Sequence, residues 1–270
     1  MEEIGYFDYN GVRFRSEPAR DDCFTVVRRD LDLHEYDAAS DIGKRESVHR
    51  HMSNEITSLD IAADCLADFP DTPWELRLEL ARQCWDESRH VAALNRRLQQ
   101  MGGRKGEFPI STFEWSVTCA IDNLAGRLAS QNRTFEAGAM DVVGDHIRQW
   151  REYGDNETAD VLEAILADEI QHVRFANRWI KRLAAEDRRV LLRIVAAVSY
   201  LSSANQALAP TAEERNAVGV PLDGFASRVP AVNIHDRQLA EFSDEEIHEI
   251  LKQAGFRTLV SDTAAEQQPR

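Results

Sequence analysis

The sequence predicts an all-α protein built around a bundle of four long helices. Four stretches of the chain repeat apolar residues at spacings of three and four, the period of an amphipathic helix. Helix-ending residues separate these stretches, namely Pro70 and Pro73, Gly102 and Gly103, and Gly154. Two of the stretches also carry the same five-residue pattern, Asp-Glu-x-x-His. Together these observations favour two helical hairpins packed against each other.

The chain divides into three predicted regions. Residues 1–42 show no helical period and mix aromatic with polar residues, so we expect an extended N-terminal arm. This arm is either a short hairpin packed on the body through its aromatic residues or a partly ordered tail. Residues 43–186 are expected to form the four-helix bundle with a dinuclear metal site. Residues 187–270 are expected to form a C-terminal helical extension packed on the bundle.

Each predicted helix has recognisable ends. The expected bounds are about residues 43–69, 73–101, 112–153 and 157–185. We place Pro73 at the first position of the second helix, where its missing N–H costs nothing. Gly126 and the polar run Ser130–Arg133 predict a kink or break in the third helix. Beyond the bundle, one helix is expected over about residues 187–208, and a capping box, Ser243–Glu246, opens a last short helix.

The Asp-Glu-x-x-His pattern is the strongest functional signal. Glutamate and histidine three residues apart share one face of a helix, where both side chains can bind one metal ion. The two copies, Asp86–His90 and Asp168–His172, place their glutamates 82 residues apart. A further glutamate precedes each copy at nearly the same distance, 32 residues in the first and 33 in the second. The spacing therefore predicts a set of six metal ligands: Glu55, Glu87, His90, Glu136, Glu169 and His172.

Four carboxylates and two imidazoles suit iron or manganese better than structural zinc, which is typically tetrahedral and rich in Cys or His. We therefore expect two iron ions, or a manganese–iron pair, with O2 as co-substrate. In ferritin-like bundles, one glutamate from each of two helices joins a Glu-x-x-His pair from each of the other two.

Neighbouring residues are candidates for orienting these ligands. Asp86 and Asp168 each lie four residues before a predicted histidine ligand. They either accept the free imidazole N–H across the bundle or are solvated surface acids. His51, one turn before Glu55, is either an outer hydrogen-bond partner or a partly exposed residue. Cys84 either faces the metal pocket or is a small buried residue. Three further histidines are expected at the surface: His146, His235 and His248.

The sequence resembles the ferritin-like di-iron carboxylate superfamily, and within it a bacterial ferritin-like family catalogued as a domain of unknown function. The similarity covers roughly residues 15–185. It is carried by the stretches Ser53–Asp60, Asp86–His90, Phe135–Val142 and Ile165–Val173. The resemblance implies the bundle and the dinuclear site, and it names no substrate.

Charge and cysteine content narrow the possible partners. The formal net charge of −15 argues against binding nucleic acid or anionic membranes. Four cysteines form no C-x-x-C motif, and residues 1–4 lack the features of a signal peptide, so a cytoplasmic location is expected. No apolar run approaches the roughly 20 residues that a membrane-spanning helix needs.

Three functional classes fit this pattern. The first is a dinuclear-iron oxidase or oxygenase that acts on a small organic molecule. An electron-donor protein and a second copy of the chain are then candidate protein partners. The second is a ferroxidase or another iron-handling ferritin-like protein, although the arm and tail make this chain longer than one bundle. The third is a tRNA-modifying hydroxylase, against which the acidic charge argues.

Overall fold

The structure is a computed structural model that describes residues 5–209, 211 and 231–253. These residues are mostly helical, as the predicted all-α class requires. In chain order the helices are α1 (Asp41–Asp68), α2 (Trp74–Gln100), α3 (Phe113–Thr118), α4 (Leu124–Ser130), α5 (Ala137–Glu152), α6 (Asn156–Glu186), α7 (Arg189–Leu208), α8 (Ile234–Leu239) and α9 (Asp244–Gln253). Within the described part of the chain, no helix is long and apolar enough to cross a membrane.

The first hairpin consists of α1 and α2, and both helices begin and end close to their predicted bounds. Ser40 caps α1, because its side chain accepts a hydrogen bond from the Gly43 N–H at 3.0 Å. The predicted position of Pro73 is wrong by one residue. Its ψ of 140° is extended, and its carbonyl accepts the first helical hydrogen bond from Arg77, so Pro73 precedes α2.

The third predicted helix is divided into α3, α4, a π-helical segment and α5. The expected break at the polar run is this π-helical segment, Gln131–Glu136, which continues directly into α5. Gly126 does not break a helix, because it lies in the first turn of α4, where Asn123 caps its N–H at 2.8 Å. A π turn holds one more residue than an α turn and is frequent at functional sites.

Two apolar clusters lie on either side of the bundle centre. One cluster is formed by residues such as Ile61, Leu80, Leu128 and Phe175. The other is formed by residues such as Met52, Leu94, Trp150 and Leu162. On each of the four long helical segments, the predicted metal ligand lies between a residue of the first cluster and a residue of the second. The polar centre is therefore enclosed along the bundle axis by apolar side chains.

The second hairpin consists of α5 and α6, which pack along each other as α1 and α2 do. Helix α2 also contacts α6, which joins the two hairpins. Of the two alternatives for the N-terminal arm, the structure shows the β-hairpin, with antiparallel strands β1 (Tyr6–Tyr9) and β2 (Val12–Arg15). Its turn residues, Asn10 and Gly11, both have positive φ, the geometry for which Asn-Gly is favoured. Phe14 anchors the hairpin against α3 and α7. A second pair of strands, β3 (Val26–Val27) and β4 (Ile110–Ser111), is parallel and joins the arm to the connection after α2.

The C-terminal extension packs on the second hairpin. Helix α7 contacts α4 and α6. The predicted capping box is confirmed, because the Glu246 N–H donates to Ser243 Oγ at 3.3 Å and the Ser243 N–H donates to Glu246 Oε2 at 2.8 Å. Predicted features within residues 212–230 and beyond 253 lie outside the described residues. The division into three domains stays a prediction.

Candidate metal centre

The structure brings all six predicted ligands together at the bundle centre. One comes from α1, two from α2, one from the end of the π segment and two from α6. None of the six is more than 6% exposed. They form two overlapping groups, each with four ligand atoms within 4.8 Å of one another: Glu55, Glu87, His90 and Glu169 in the first, and Glu87, Glu136, Glu169 and His172 in the second. Glu87 and Glu169 belong to both groups.

The two imidazoles point the same nitrogen into the cluster. Nδ1 of His90 lies 3.0 Å from Glu87 Oε2 and 3.3 Å from Glu55 Oε2. Nδ1 of His172 lies 3.3 Å from Glu87 Oε1 and 3.5 Å from Glu169 Oε2. Because carboxylate oxygens and imidazole nitrogens converge from opposite hairpins, neither hairpin alone provides a complete group.

The outward nitrogens of the two histidines contact aspartates in a crossed arrangement. Nε2 of His90 lies 3.2 Å from Asp168 Oδ2, and Nε2 of His172 lies 3.4 Å from Asp86 Oδ2. Each aspartate thus contacts the histidine of the other Asp-Glu-x-x-His copy. An aspartate at Nε2 favours the tautomer with a proton there, which leaves the Nδ1 lone pair directed into the cluster. Arg89 in turn contacts both aspartates.

His51 has the geometry of an outer hydrogen-bond partner. Its Nε2 lies 2.8 Å from Glu55 Oε1, and its side chain is partly buried. Cys84 is closer to its second alternative, a small buried residue, than to a residue that faces the metal pocket. Its Sγ lies 3.9 Å from the Leu59 carbonyl, and burial raises the pKa of its thiol to about 11, so it is a protonated, half-buried residue.

Three amide side chains surround Glu136, and the sequence analysis missed all of them. Gln83 Nε2 donates to Glu136 Oε1 at 2.5 Å, and Asn132 Nδ2 donates to Oε2 at 2.8 Å. Gln131 Nε2 lies 3.4 Å from Oε1. Two of these donors belong to the π segment, which brings Gln131, Asn132 and Glu136 to one side of the helix. The only sequence signal was the polar run itself, which predicted a break and not a set of hydrogen-bond donors.

The buried charges strongly perturb the protonation of the cluster. Burial, followed by the charge of Glu169, raises the pKa of Glu136 well above its ordinary value. Burial opposes the charged form of His90, but hydrogen bonds to Glu55 and Glu87 outweigh it and raise the pKa of His90 to about 11. The pKa of His172 also rises well above its ordinary value, because the Glu169 charge and the Asp86 hydrogen bond outweigh burial. Protons and cations therefore compete for these donors.

The donor set fits a bound metal ion. Within the described residues, two of its buried atoms, Glu169 Oε1 and His172 Nδ1, have no hydrogen-bond partner. Leaving buried polar atoms unpaired costs free energy, and coordination of a cation satisfies them. The cluster can therefore hold a metal ion. The roles of the six residues as ligands, and of Asp86, Asp168 and His51 beside them, stay predictions.

A cavity of about 800 Å³ reaches the cluster and is lined mainly by α1 and α5. Glu55, Glu136 and Glu169 form part of its wall. Gly138 also lines the cavity, and a Cβ added there would meet no atom within 4 Å. The cavity therefore has room for a small molecule beside the predicted ligands.

The expected surface position of His146 is wrong, because the side chain is partly buried and lines this cavity. Burial, together with the electrostatic effect of the neighbouring His51 and Arg50, lowers the pKa of His146 to about 4. The ring is therefore neutral at pH 7. His146 lies beside the apolar face of α5, as predicted, but α1 and α5 leave a gap there. His235 and His248 are exposed, as expected.

Glu114 is a further carboxyl near the cluster that sequence reasoning did not find. It lies on the short helix α3 and lines the cavity. Its Oε1 accepts a hydrogen bond from Gln131 Nε2 at 2.7 Å, which connects it through one amide to Glu136. Burial raises the pKa of Glu114 to about 8, so the group is mostly protonated at pH 7. No spacing signal marks this residue, because α3 has only six residues.

A family model described as "Protein of unknown function (DUF455)" matches residues 8–248, and the chain therefore belongs to this family. No curated protein and no solved structure matches the chain. The family description includes no fold and no activity.

Proposed function

We propose that this member of DUF455 is a dinuclear-iron oxidase or oxygenase with a ferritin-like four-helix bundle. It would use O2 to oxidise or hydroxylate a small organic molecule. The observation that carries the proposal is the pair of overlapping buried ligand groups that share Glu87 and Glu169 and open onto a cavity. The expected manganese–iron pair remains the alternative metal content.

The chemistry of the donors supports two ions of this kind. Four carboxylates can neutralise two divalent cations, which removes most of the cost of burying either charge alone. Mixed oxygen and nitrogen donors suit iron and manganese. One glutamate from each of two helical segments, with a Glu-x-x-His pair from each of two others, is the arrangement of ferritin-like dinuclear proteins. When bound, iron would supply the binding and reduction of dioxygen.

Each residue of the centre has a definable role under this proposal. His90 and Glu55 would hold one ion, His172 and Glu136 the other, and Glu87 and Glu169 would contact both. Asp168 and Asp86 would keep the two imidazoles in the tautomer that presents Nδ1. The apolar clusters on either side limit water access along the bundle axis. The neutral ring of His146 can accept a hydrogen bond from a molecule in the cavity.

The volume of the cavity favours a function that uses an organic substrate over a function in iron storage. Iron and O2 are small and need no space of about 800 Å³ beside the ligands. A ferroxidase role is the alternative that the same ligand set permits, and an experiment on the cavity separates the two. Gly138→Leu would add bulk to the cavity wall, at a position where an added Cβ meets no atom within 4 Å, and it replaces no predicted ligand.

The test begins with anaerobic protein loaded with ferrous iron and then mixed with oxygenated buffer. Iron per chain is measured by mass spectrometry, and O2 uptake is measured with an electrode while a panel of small organic molecules is screened. We expect about two iron ions per chain and faster O2 uptake with a suitable molecule. Gly138→Leu should keep the iron and lose the stimulation.

Other results would contradict the proposal. If iron-loaded protein stays ferrous in air for hours with every molecule tried, the centre does not activate oxygen. If one chain takes up many more than two ions and no molecule alters O2 uptake, iron handling replaces the oxygenase proposal.

A further inference from the structure

Helix α2 presents an exposed apolar stripe on the side away from the metal centre. Trp74 is 67% exposed, Leu78 is 51% exposed and Trp85 is 65% exposed. Their spacings of four and seven residues place all three on one face of the helix. Large apolar residues that share an exposed face often mark an interaction surface. Within the described part of the chain, α2 buries its opposite face against α1 and α6, which leaves this stripe at the surface.

The stripe belongs to a longer seam with coiled-coil spacing. Positions separated alternately by four and three residues run the full length of α2: Trp74, Leu78, Ala81, Trp85, Ser88, Ala92, Asn95 and Gln99. Each is exposed or partly exposed. This alternation matches the a and d positions of a heptad repeat, which face a partner helix in a coiled coil. No charged residue occupies the seam, although the formal net charge of the chain is −15.

We propose that two copies of this chain form a two-fold symmetric dimer through this seam, with the α2 helices antiparallel. One register fits the shapes of the side chains. It places Trp85 against Ser88 of the second copy, and Ala81 against Ala92 of the second copy. Near the ends, the same register places Leu78 and Trp74 against the polar Asn95 and Gln99. Large side chains thus face small or polar ones, as interdigitating helices require.

Near the two ends of the seam, the flanking charges are also self-complementary. The flanking positions on one side of the seam hold Glu75, Arg82, Arg89 and Arg96. In the proposed register, Glu75 lies next to Arg96 of the second copy, and the two-fold axis repeats this pair. Arg82 comes near Arg89 of the second copy, which is a like-charged pair, but Asp86 binds both arginines within each copy and Asp168 also binds Arg89, which offsets their charge. A second copy is therefore the occupant that this stripe fits.

The proposed dimer would lie directly outside the aspartates of the metal centre. Arg82 and Arg89 stand between the seam and Asp86, which contacts His172. The second copy would cover these arginines and shield the aspartate–histidine contacts from water. The inference itself rests on α2 and not on the identity of any bound metal.

The first test measures mass in solution by size exclusion with light scattering. The full chain should give about 61 kDa, twice the chain mass of 30.6 kDa. Trp85→Asp, which puts a charge into the seam, should give the monomer mass. Leu192→Asp makes the same kind of change at a residue of α7 that is 72% exposed, and should leave the dimer intact. A monomeric parent protein, a dimeric Trp85→Asp variant or a monomeric Leu192→Asp variant would each overturn the proposal.

A second test fixes the register by disulfide cross-linking in a Cys23→Ser background. The double variant Ala81→Cys/Ala92→Cys should form a covalent dimer on oxidation, because these positions face each other across the seam. Neither single variant should do so, since like positions would lie about 16 Å apart along the axis, beyond the reach of a disulfide. Cross-linking by a single variant, or none by the double variant, would contradict the antiparallel register.

Discussion

Asp168 contacts His90 of the other Asp-Glu-x-x-His copy, with its Oδ2 3.2 Å from His90 Nε2. Asp86 has the same relationship with His172, at 3.4 Å. The aspartate of each copy is thus in position to orient the histidine of the other. The two copies are therefore in contact through these pairs, and a change in one should affect the predicted metal-binding nitrogen of the other.

Asp168→Ala should weaken metal binding without removing any predicted ligand. Loss of the acceptor at Nε2 frees the tautomer and ring orientation of His90, and such outer contacts are worth about 10- to 100-fold in affinity. Competition with a chelator measures the change. Asp160→Ala is the matched control, because it removes an exposed acid from the same helix. Equal affinities for the two variants would show that the contact has no orienting role.

Glu87→Ala and His172→Ala should each lower the metal content below one ion per chain. Glu87 belongs to both ligand groups, and His172 supplies the imidazole of one. The protein should stay folded, because the remaining buried acids can protonate. Glu163→Ala, an exposed acid on α6, should retain the parent metal content. Circular dichroism checks the fold, and two ions retained by both ligand variants would refute the site assignment.

Stabilisation by metal should increase from pH 6 to pH 8. The pKa of His90 is raised to about 11 and that of Glu136 is raised well above its ordinary value. A group whose pKa is higher in the folded than in the unfolded protein stabilises the folded state fully at pH values below its unfolded pKa. This stabilisation is lost as the pH rises towards and through the folded pKa. The metal-free, chelator-treated protein should therefore become less stable from pH 6 to pH 8. Over the same range fewer protons compete with the metal for the ligands, so binding of the metal should strengthen.

Melting temperatures with and without Mn²⁺, which is stable to air, measure this effect at both pH values. A pH indicator in weakly buffered solution should also detect proton release on metal addition. A stabilisation that is equal at both pH values, with no proton released, would contradict this protonation scheme.

Two helical glycines should respond oppositely to alanine. At Gly138 a Cβ meets nothing, so Gly138→Ala should stabilise the protein by about 0.5–1 kcal/mol through its helix preference. At Gly126 a Cβ would lie 2.8 Å from Ile121 Cγ2 and 3.0 Å from Ala197 Cβ. Gly126→Ala should therefore destabilise by about 1–3 kcal/mol, as overpacking does. Urea unfolding measures both, and a loss of stability at Gly138 would mean that the cavity wall is closer packed than described.

That the six predicted ligands lie together could be predicted from sequence, because helical spacing determines which residues share a face and the spacing from Glu to Glu-x-x-His repeats in the two hairpins. Glu169 and His172 need no tertiary information to be placed side by side. The amides around Glu136 could not be predicted in this way, since the extra residue of the π turn alters the face on which Gln131 and Asn132 lie. Periodicity shows which side of a helix is apolar, but it does not show whether two helices leave a gap.

That limit explains the errors at the cavity. His146 lies beside the apolar stripe of α5, and only the gap between α1 and α5 makes it a lining residue. Glu114 reaches the cluster from α3, a helix of six residues with too few turns to show a period. The predicted start of α2 differs from the observed start by one residue. Proline suits both the first helical position, as predicted for Pro73, and the extended residue before it, as observed.

The crossed contacts also bear on the order of events during folding. The two contacts join pairs of residues that are separated in the chain by 78 and 86 positions. Neither contact can therefore form while a single hairpin folds alone. Contacts of such long range form only after the loops between them close, which makes them slow relative to helix formation. Metal-binding capacity should therefore arise late in refolding, after helical structure, and the rate at which a cation is captured would report the docking of the two hairpins.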